Sequence, residues 1–190
     1  FNARSCIACH GEPSIGGTTS DESRFVLRLG RVHPVSGRAE PMSGLAAPVA
    51  RRHATDAHAH AVIPRQANVT SLRMPTALYD VALIERIPEE SILAHAVNKG
   101  DGIQGRPNRV TGADGRSRVG RFGWKSDVAG LQDMVSIAFD NELGIRSALH
   151  PGSAGAATKS TDSVEDDGTL VRAVSTFLRG LSRPKPEAAP

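Results

Sequence analysis

Aromatic residues are scarce: five Phe, one Tyr and one Trp in 190 residues. Leu, Ile, Val and Phe together make up little more than a fifth of the chain, just above the range in which a sequence cannot bury enough apolar surface to fold. A core is expected, but a thin one crossed by loops. No run approaches the ~18 consecutive apolar residues of a membrane-spanning helix. The formal charge is only +3 and is dispersed, which gives no indication of a nucleic-acid partner. Two cysteines exclude a disulfide-dense scaffold. An initiating Met and a signal segment are also missing. The chain opens at Phe1 and runs straight into a cysteine motif, so it reads as a fragment with its N-terminus lying upstream. Glycine and proline, at 19 and 12 residues, are what the sequence has in quantity.

The two cysteines carry the clearest chemical signal. In SCIACH, Cys6, Cys9 and His10 stand as C-x-x-C-H, the attachment pattern of c-type haem. Residues three apart on a helix share one face, so both thiols can reach the two vinyl groups of one porphyrin. His10 follows directly and is placed to bind the iron from the proximal side. Gly11 and Pro13 then end the turn. Two other chemistries use such residues. A redox dithiol belongs in a βαβ context, which is not evident here. A zinc site wants a fourth ligand and normally a second ligand pair, and no second C-x-x-C exists.

The remaining chain reads as mainly α. Residues 14–70 are rich in Gly, Ser, Thr, Pro, Ala and Arg, with one strand-like stretch at Phe25 to Leu29. A short helix is expected from about Thr76 to Arg86. Pro88, Glu89 and Glu90 open a second, with Ile92, Leu93, Ala96 and Val97 on its apolar face and Gly100 at its end. Residues 108–124 suggest a β-hairpin turning at Ala113-Asp114-Gly115. A third helix is expected from about Val128 to Leu143, capped by Gly144. Residues 151–163 read as a linker. A fourth helix begins near Asp166-Asp167, with Leu170, Val171, Val174, Phe177, Leu178 and Leu181 as its stripe. Residues 1–183 form one haem domain in this reading, and 184–190 a Pro/Ala-rich tail.

The segments FNARSCIACHGEPSIGG, SLRMPTALYDVALIERIPEESI, GRPNRV, GRSRVGRFGWKSDVAGLQDMVSIAFDNELGI and DDGTLVRAVSTFLRGL, in this order, resemble the bacterial di-haem oxidoreductases. These are distant relatives of the di-haem cytochrome c peroxidases. The resemblance implies a cytochrome-c-like haem domain with covalent haem c, exported to the periplasm and served by a small redox protein such as a cytochrome or cupredoxin. Members of that family carry a second CxxCH beyond the last of these segments, and this chain reaches Pro190 without one. It therefore reads as a first-haem half. The peroxidase reaction of such proteins uses two haems, and the alternative is a mono-haem electron-transfer module without enzymatic activity.

The second axial ligand decides what a haem does: Met favours electron transfer, His lowers the potential, and an open position admits peroxide. Met74, in a loop-to-helix junction before Pro75, is the leading candidate, ahead of Met42; Met134 suits a helix core. His53, His58 and His60 form a cluster that suits a solvated basic loop better than a metal site. His33, His95 and His150 stand alone. Trp124, in GRFGWK, is a candidate for the haem edge or for packing of the hairpin. Arg121 and Lys125, with Arg73 and Arg106, are candidates to pair with haem propionates.

Overall fold

The computed structural model describes residues 1–40, 49–53, 63–97, 100–111, 114–149 and 164–185. Met42, His58, His60, His150, the 151–163 linker and most of the C-terminal tail lie outside them. Seven buried side chains build the principal core: Val81, Phe122, Leu131, Val135, Phe139, Val171 and Leu178. They come from three helices and one loop. Helix α1 spans Val81–Arg86, α3 spans Leu131–Ala138 and α4 spans Thr169–Arg179. A shorter helix, α2, spans Glu89–Leu93 and is opened by Pro88 with Glu89 and Glu90 in its first turn. Helix α3 passes directly into one π turn, Phe139–Leu143, and Gly144 ends it in the left-handed conformation at φ 73°.

Helix α4 shows how the sequence writes its own boundary. Asp166 Oδ1 accepts from the Leu170 N–H at 2.9 Å, and Asp167 Oδ1 from the Thr169 N–H at 2.8 Å. Two of the donors that every helix start leaves unpaired are thereby satisfied. Val171 and Leu178 turn into the core while Leu170 and Phe177 stay in solvent, so the buried stripe is narrower than the apolar pattern suggests. Arg179 then grips Glu85 of α1 through two nitrogens, at 2.7 and 2.9 Å.

The mainly α, cytochrome-c-like expectation with one small hairpin does not hold. The described residues form a mixed structure with two small antiparallel sheets and no α-helix longer than 11 residues. The expected hairpin is present: β4, Arg109–Thr111, pairs with β5, Ser117–Val119. Beside its turn, Arg118 and the Arg116 N–H hold the Asp114 carboxyl down at about 2. In the larger sheet only the central strand was anticipated, as the stretch Phe25 to Leu29; its two partners were expected to be loop. Its central strand β1, Val26–Val32, pairs with β2, Ala39–Glu40, on one side and β3, Val69–Arg73, on the other. Leu27 and Leu29 pack with Ala50 and Ala67 in a second small cluster. Asn68 clasps Val32 with both ends of its amide, each bond 2.8 Å.

The start of α1 also differs from expectation, and the reason is visible in the backbone donors. The Leu78 N–H is given to the Gly16 carbonyl and the Asp80 N–H to the Leu181 carbonyl. Residues ahead of α1 thus spend their hydrogen bonds on the N-terminal loop and the end of α4. Helix formation is deferred to Val81, after Asp80 at φ 57°. Helix α2 likewise stops at Leu93, well before Gly100.

The N-terminal segment is tied to the π turn. The Asn2 and Ala3 N–H groups both donate to the Glu142 carbonyl, and Asn2 Nδ2 donates to its carboxylate at 2.8 Å. Burial pushes the Glu142 carboxyl above the ordinary 4.5, despite that bond and nearby Arg51 and Arg52. An acid raised in the folded state stabilises the fold fully below its ordinary value, and that contribution is lost as pH rises through the raised one. Glu142→Gln is therefore expected to be more stable than the parent at pH 7, with the difference closing below pH 4.5, in urea unfolding across pH. Leu131 has no exposed surface, so Leu131→Ala should cost about 2–5 kcal/mol in the same assay.

Candidate haem-attachment site

Cys6–Ala8 forms a single 3₁₀ turn in place of the α-helical turn anticipated. The Cys9 N–H and the His10 N–H both donate to the Cys6 carbonyl, at 3.1 and 2.9 Å. In 3₁₀ geometry residues i and i+3 eclipse one another, so Cys6 and Cys9 start from the same side of the turn. Both thiols are free; Cys6 is exposed and Cys9 half-buried, with its Sγ 3.6 Å from the Arg24 carbonyl.

The chain then doubles back. The Glu12 N–H donates to Thr18 O and the Thr18 N–H to Glu12 O, at 2.8 and 2.6 Å, while the Gly16 N–H closes on His10 O at 2.8 Å. Two glycines make this possible. A Cβ on Gly17 would lie 1.8 Å from the Glu12 carbonyl oxygen, and Gly16, at φ +91°, lies against Leu181. The fold-back brings the Gly17 carbonyl 3.2 Å from His10 Nδ1. Thr18 Oγ1 donates to the Pro75 carbonyl at 2.5 Å, and the Thr76 backbone reaches His10.

The electrostatics of this loop separate the candidate chemistries. Burial lowers the affinity of His10 for a second proton below the ordinary imidazole value, and the Gly17 and Thr76 carbonyls only partly oppose it. A neutral imidazole that donates Nδ1–H to a carbonyl keeps its Nε2 lone pair, as a metal-binding His requires. Both thiols are raised above the ordinary value by desolvation, Cys9 further by Glu142; of the two, half-buried Cys9 carries the comparison, because Cys6 is exposed. A redox dithiol depends on a lowered thiol pKa, and these directions run the other way. Among the described residues, no three His, Cys, Asp or Glu side chains come together as a metal-ligand cluster. Two unpaired thiols three residues apart on one turn, followed by an imidazole whose Nδ1 meets a carbonyl, are a residue set that a covalent haem could use.

Of the other candidates, Met74 is joined to this turn's loop and the rest are dispersed over the described residues. Met74 is 44% exposed and stands beside the Pro75 and Thr76 backbone groups that touch the His10 loop. Trp124 is 48% exposed, with the Arg73 guanidinium 5.3 Å above its ring. Arg121 Nη1 donates to the carbonyls of Ile84 and Ile87 at the end of α1, so part of its guanidinium caps a helix. Lys125 contributes its carbonyl to Asn108. Met134 packs against the principal core. His53 is exposed and stacks on Phe1 at 5.5 Å, and His33 accepts from the Val35 and Ser36 N–H groups through Nδ1.

Gly17, Thr18 and Arg24 are the residues that sequence reasoning missed. Arg24 Nη1 donates to the Ala8 carbonyl at 2.6 Å and so braces the turn from outside. The Gly16-Gly17 doublet following His10 is the signal that could have revealed the fold-back. Beside Cys9 lies a cavity of about 510 Å³ whose lining includes Phe1, Arg4, Ser23, Arg24 and His53.

The raised thiols are open to direct measurement. Ultraviolet thiolate absorbance of the haem-free chain should titrate above the ordinary 9.0 for both cysteines. A midpoint below about 8 for either one would restore the redox dithiol.

No family model, no curated protein and no solved structure matches this chain.

Proposed function

We propose that the chain is a c-type haem protein that carries electrons. Cys6 and Cys9 would hold the porphyrin through thioethers, and His10 would be the axial ligand. The observation that carries this reading is the 3.2 Å contact between His10 Nδ1 and the Gly17 carbonyl. A carbonyl can only accept, so this contact goes with the Nδ1–H tautomer, whose lone pair sits on Nε2, immediately after two unpaired thiols at the attachment spacing in sequence. When bound, haem iron supplies one-electron chemistry, and the identity of its second axial ligand tunes the potential.

The chain's own residues have distinct tasks in this reading. Gly16 and Gly17 let the loop close, and Gly17 orients the imidazole. The Thr18–Pro75 clasp keeps the Met74 segment next to the His10 loop, which makes Met74 the first choice for the distal ligand. Ile7, Ile15, Met74 and Trp124 are large apolar side chains left in water. Ile7, Ile15 and Met74 lie in the attachment turn, its return loop and the segment joined to that loop through Thr18, and an apolar ring there would cover them; Trp124 lies under Arg73, the residue before Met74. Arg73 remains the better candidate for a propionate partner, since Arg121 Nη1 is occupied by helix carbonyls. Covalent haem attachment would go with a periplasmic location and with electron exchange with a small redox protein.

The resemblance to di-haem oxidoreductases extends this proposal to a larger protein. There, a second haem unit would follow, and the pair would reduce peroxide. Coding sequence beyond Pro190 containing a second CxxCH would support that extension.

Co-expression with a haem-maturation system is the decisive experiment. The expected product gains the mass of one haem, shows a c-type pyridine haemochrome spectrum, and loses both in Cys6→Ser/Cys9→Ser. A product with only the bare polypeptide mass would refute the proposal. In the haem-loaded protein, Met74→Ala should abolish the thioether-to-ferric-iron charge-transfer band.

A further inference from the structure

The partner of His10 Nδ1 is the carbonyl of a glycine, Gly17. A residue without a side chain leaves the direction of its own peptide groups weakly determined, so neighbours must impose it. Bonds inside the loop do part of this. The Thr18 N–H, in the same peptide as the Gly17 carbonyl, donates to Glu12 O at 2.6 Å, the Glu12 N–H returns to Thr18 O, and the Gly16 N–H closes on His10 O. Ser20 adds its N–H and its hydroxyl to the Glu12 carboxylate at 2.7 and 2.8 Å. The remaining support comes from residues 75–79. The Leu78 N–H donates to Gly16 O at 2.7 Å, and Thr18 Oγ1 donates to Pro75 O. The Tyr79 hydroxyl donates to Ser14 O at 3.0 Å and receives the Ser14 hydroxyl at 2.6 Å. Ser14 O is also the acceptor of the Gly17 N–H, at 2.9 Å. The Tyr79 ring lies against Gly16, where a Cβ would stand 3.3 Å from Tyr79 Cε1. The Thr76 carbonyl of the same segment reaches the imidazole itself.

We propose that Tyr79 and Thr18 are positioning residues for His10, holding Gly17 from either side so that its carbonyl stays on Nδ1. Tyr79 steadies Ser14 O, and with it the N–H side of Gly17. Thr18 anchors the carbonyl side to Pro75. The bonds internal to the loop are enough to fold it back; the two hydroxyls set how squarely the carbonyl meets the ring. A metal-binding imidazole is oriented by the acceptor on its other nitrogen, and these side chains stand one step behind that acceptor. Tyr79 is the single tyrosine of the chain. The inference deepens the reading of His10 as an axial ligand, and it rests on that reading only in the haem-loaded measurement below.

Tyr79→Phe keeps the ring against Gly16 and Thr18→Val keeps the side-chain shape, so each removes only a hydroxyl. In the full haem-free chain, at a pH where His10 is neutral, the NMR shifts of its ring nitrogens report the ratio of the Nδ1–H to the Nε2–H form. Tyr79→Phe/Thr18→Val should lower that ratio about fivefold, the weight of one ordinary hydrogen bond, with an unchanged circular-dichroism spectrum. Val135→Ala thins the principal core and takes no part in these bonds, and it should leave the ratio where it is. Should the double variant fail to fold, Tyr79→Phe decides alone, with a fall of about twofold expected. An unchanged ratio would overturn the proposal, as would an equal change in Val135→Ala, which would mark general loosening. In the haem-loaded chain the double variant should keep its haem and show a raised midpoint potential, because a slacker Nδ1–H bond leaves a less donating imidazole. A potential that does not move would overturn the role at the bound imidazole. Failure of the parent chain to take up haem would strike the haem reading instead, and the nitrogen shifts would still judge the positioning.

Discussion

The hydrogen bond between the His10 imidazole and the Gly17 carbonyl constrains most of what surrounds it. A carbonyl seven residues downstream can reach the ring only if the chain reverses within one short loop. That reversal puts Glu12 and Thr18 in mutual backbone pairing and leaves no room for a Cβ at Gly17. The closed loop then offers outward-facing groups that the distant chain must meet. Gly16 gives its carbonyl to Leu78 and its bare α-carbon face to Leu181, and Thr18 reaches Pro75. The N-terminal turn, the segment before α1 and the end of α4 converge because one imidazole is held by one carbonyl. The late start of α1 is a consequence of the same geometry.

What was legible in the sequence was local. The C-x-x-C-H spacing, the hairpin turn at Asp114-Gly115, the Pro88-Glu89-Glu90 opening of α2 and the Asp166-Asp167 cap of α4 are short-range signals, and each appears close to where it was expected. Of the three-stranded sheet only β1 was legible, as the stretch Phe25 to Leu29; β2 and β3 were not, because they are short or poor in apolar residues and β3 meets β1 at long range. Strand β3 is VTSLR, with two residues half-buried and three exposed, and its partner β1 lies some forty residues earlier. Alternation is a weak signal when one face of the sheet packs only on alanines. The part played by Arg121 was equally hidden, since a guanidinium that caps a helix and one that awaits an anion look alike in sequence.

Arginine is how this chain manages a shortage of apolar residues. Of its 23 basic residues only four are lysine. Guanidinium groups join α4 to α1 through Glu85, the end of α4 to the start of α1 through Asp80, and Arg121 to the last carbonyls of α1. Planar, multi-donor groups suit this work better than a point charge. Their energetic yield is limited, because most of these pairs remain in contact with water and are worth little individually. Stability comes from the seven-residue core, and the arginines mainly set which surfaces face each other.

On the proposed reading, the cofactor would alter that balance. Ile7, Ile15, Met74 and Trp124 expose apolar surface near a turn whose thiols are protonated and whose imidazole is neutral. None of these groups gains from remaining in water, and each would gain from a flat apolar partner at about 25 cal/mol per Å² covered. A porphyrin joined through Cys6 and Cys9 would be such a partner, supplying aromatic surface that a chain with seven aromatic residues largely lacks. It would be bonded to the turn through Cys6 and Cys9, and Met74 is the residue that would offer it a second axial ligand. The haem site and the thin core are, in this view, one physical problem with one solution.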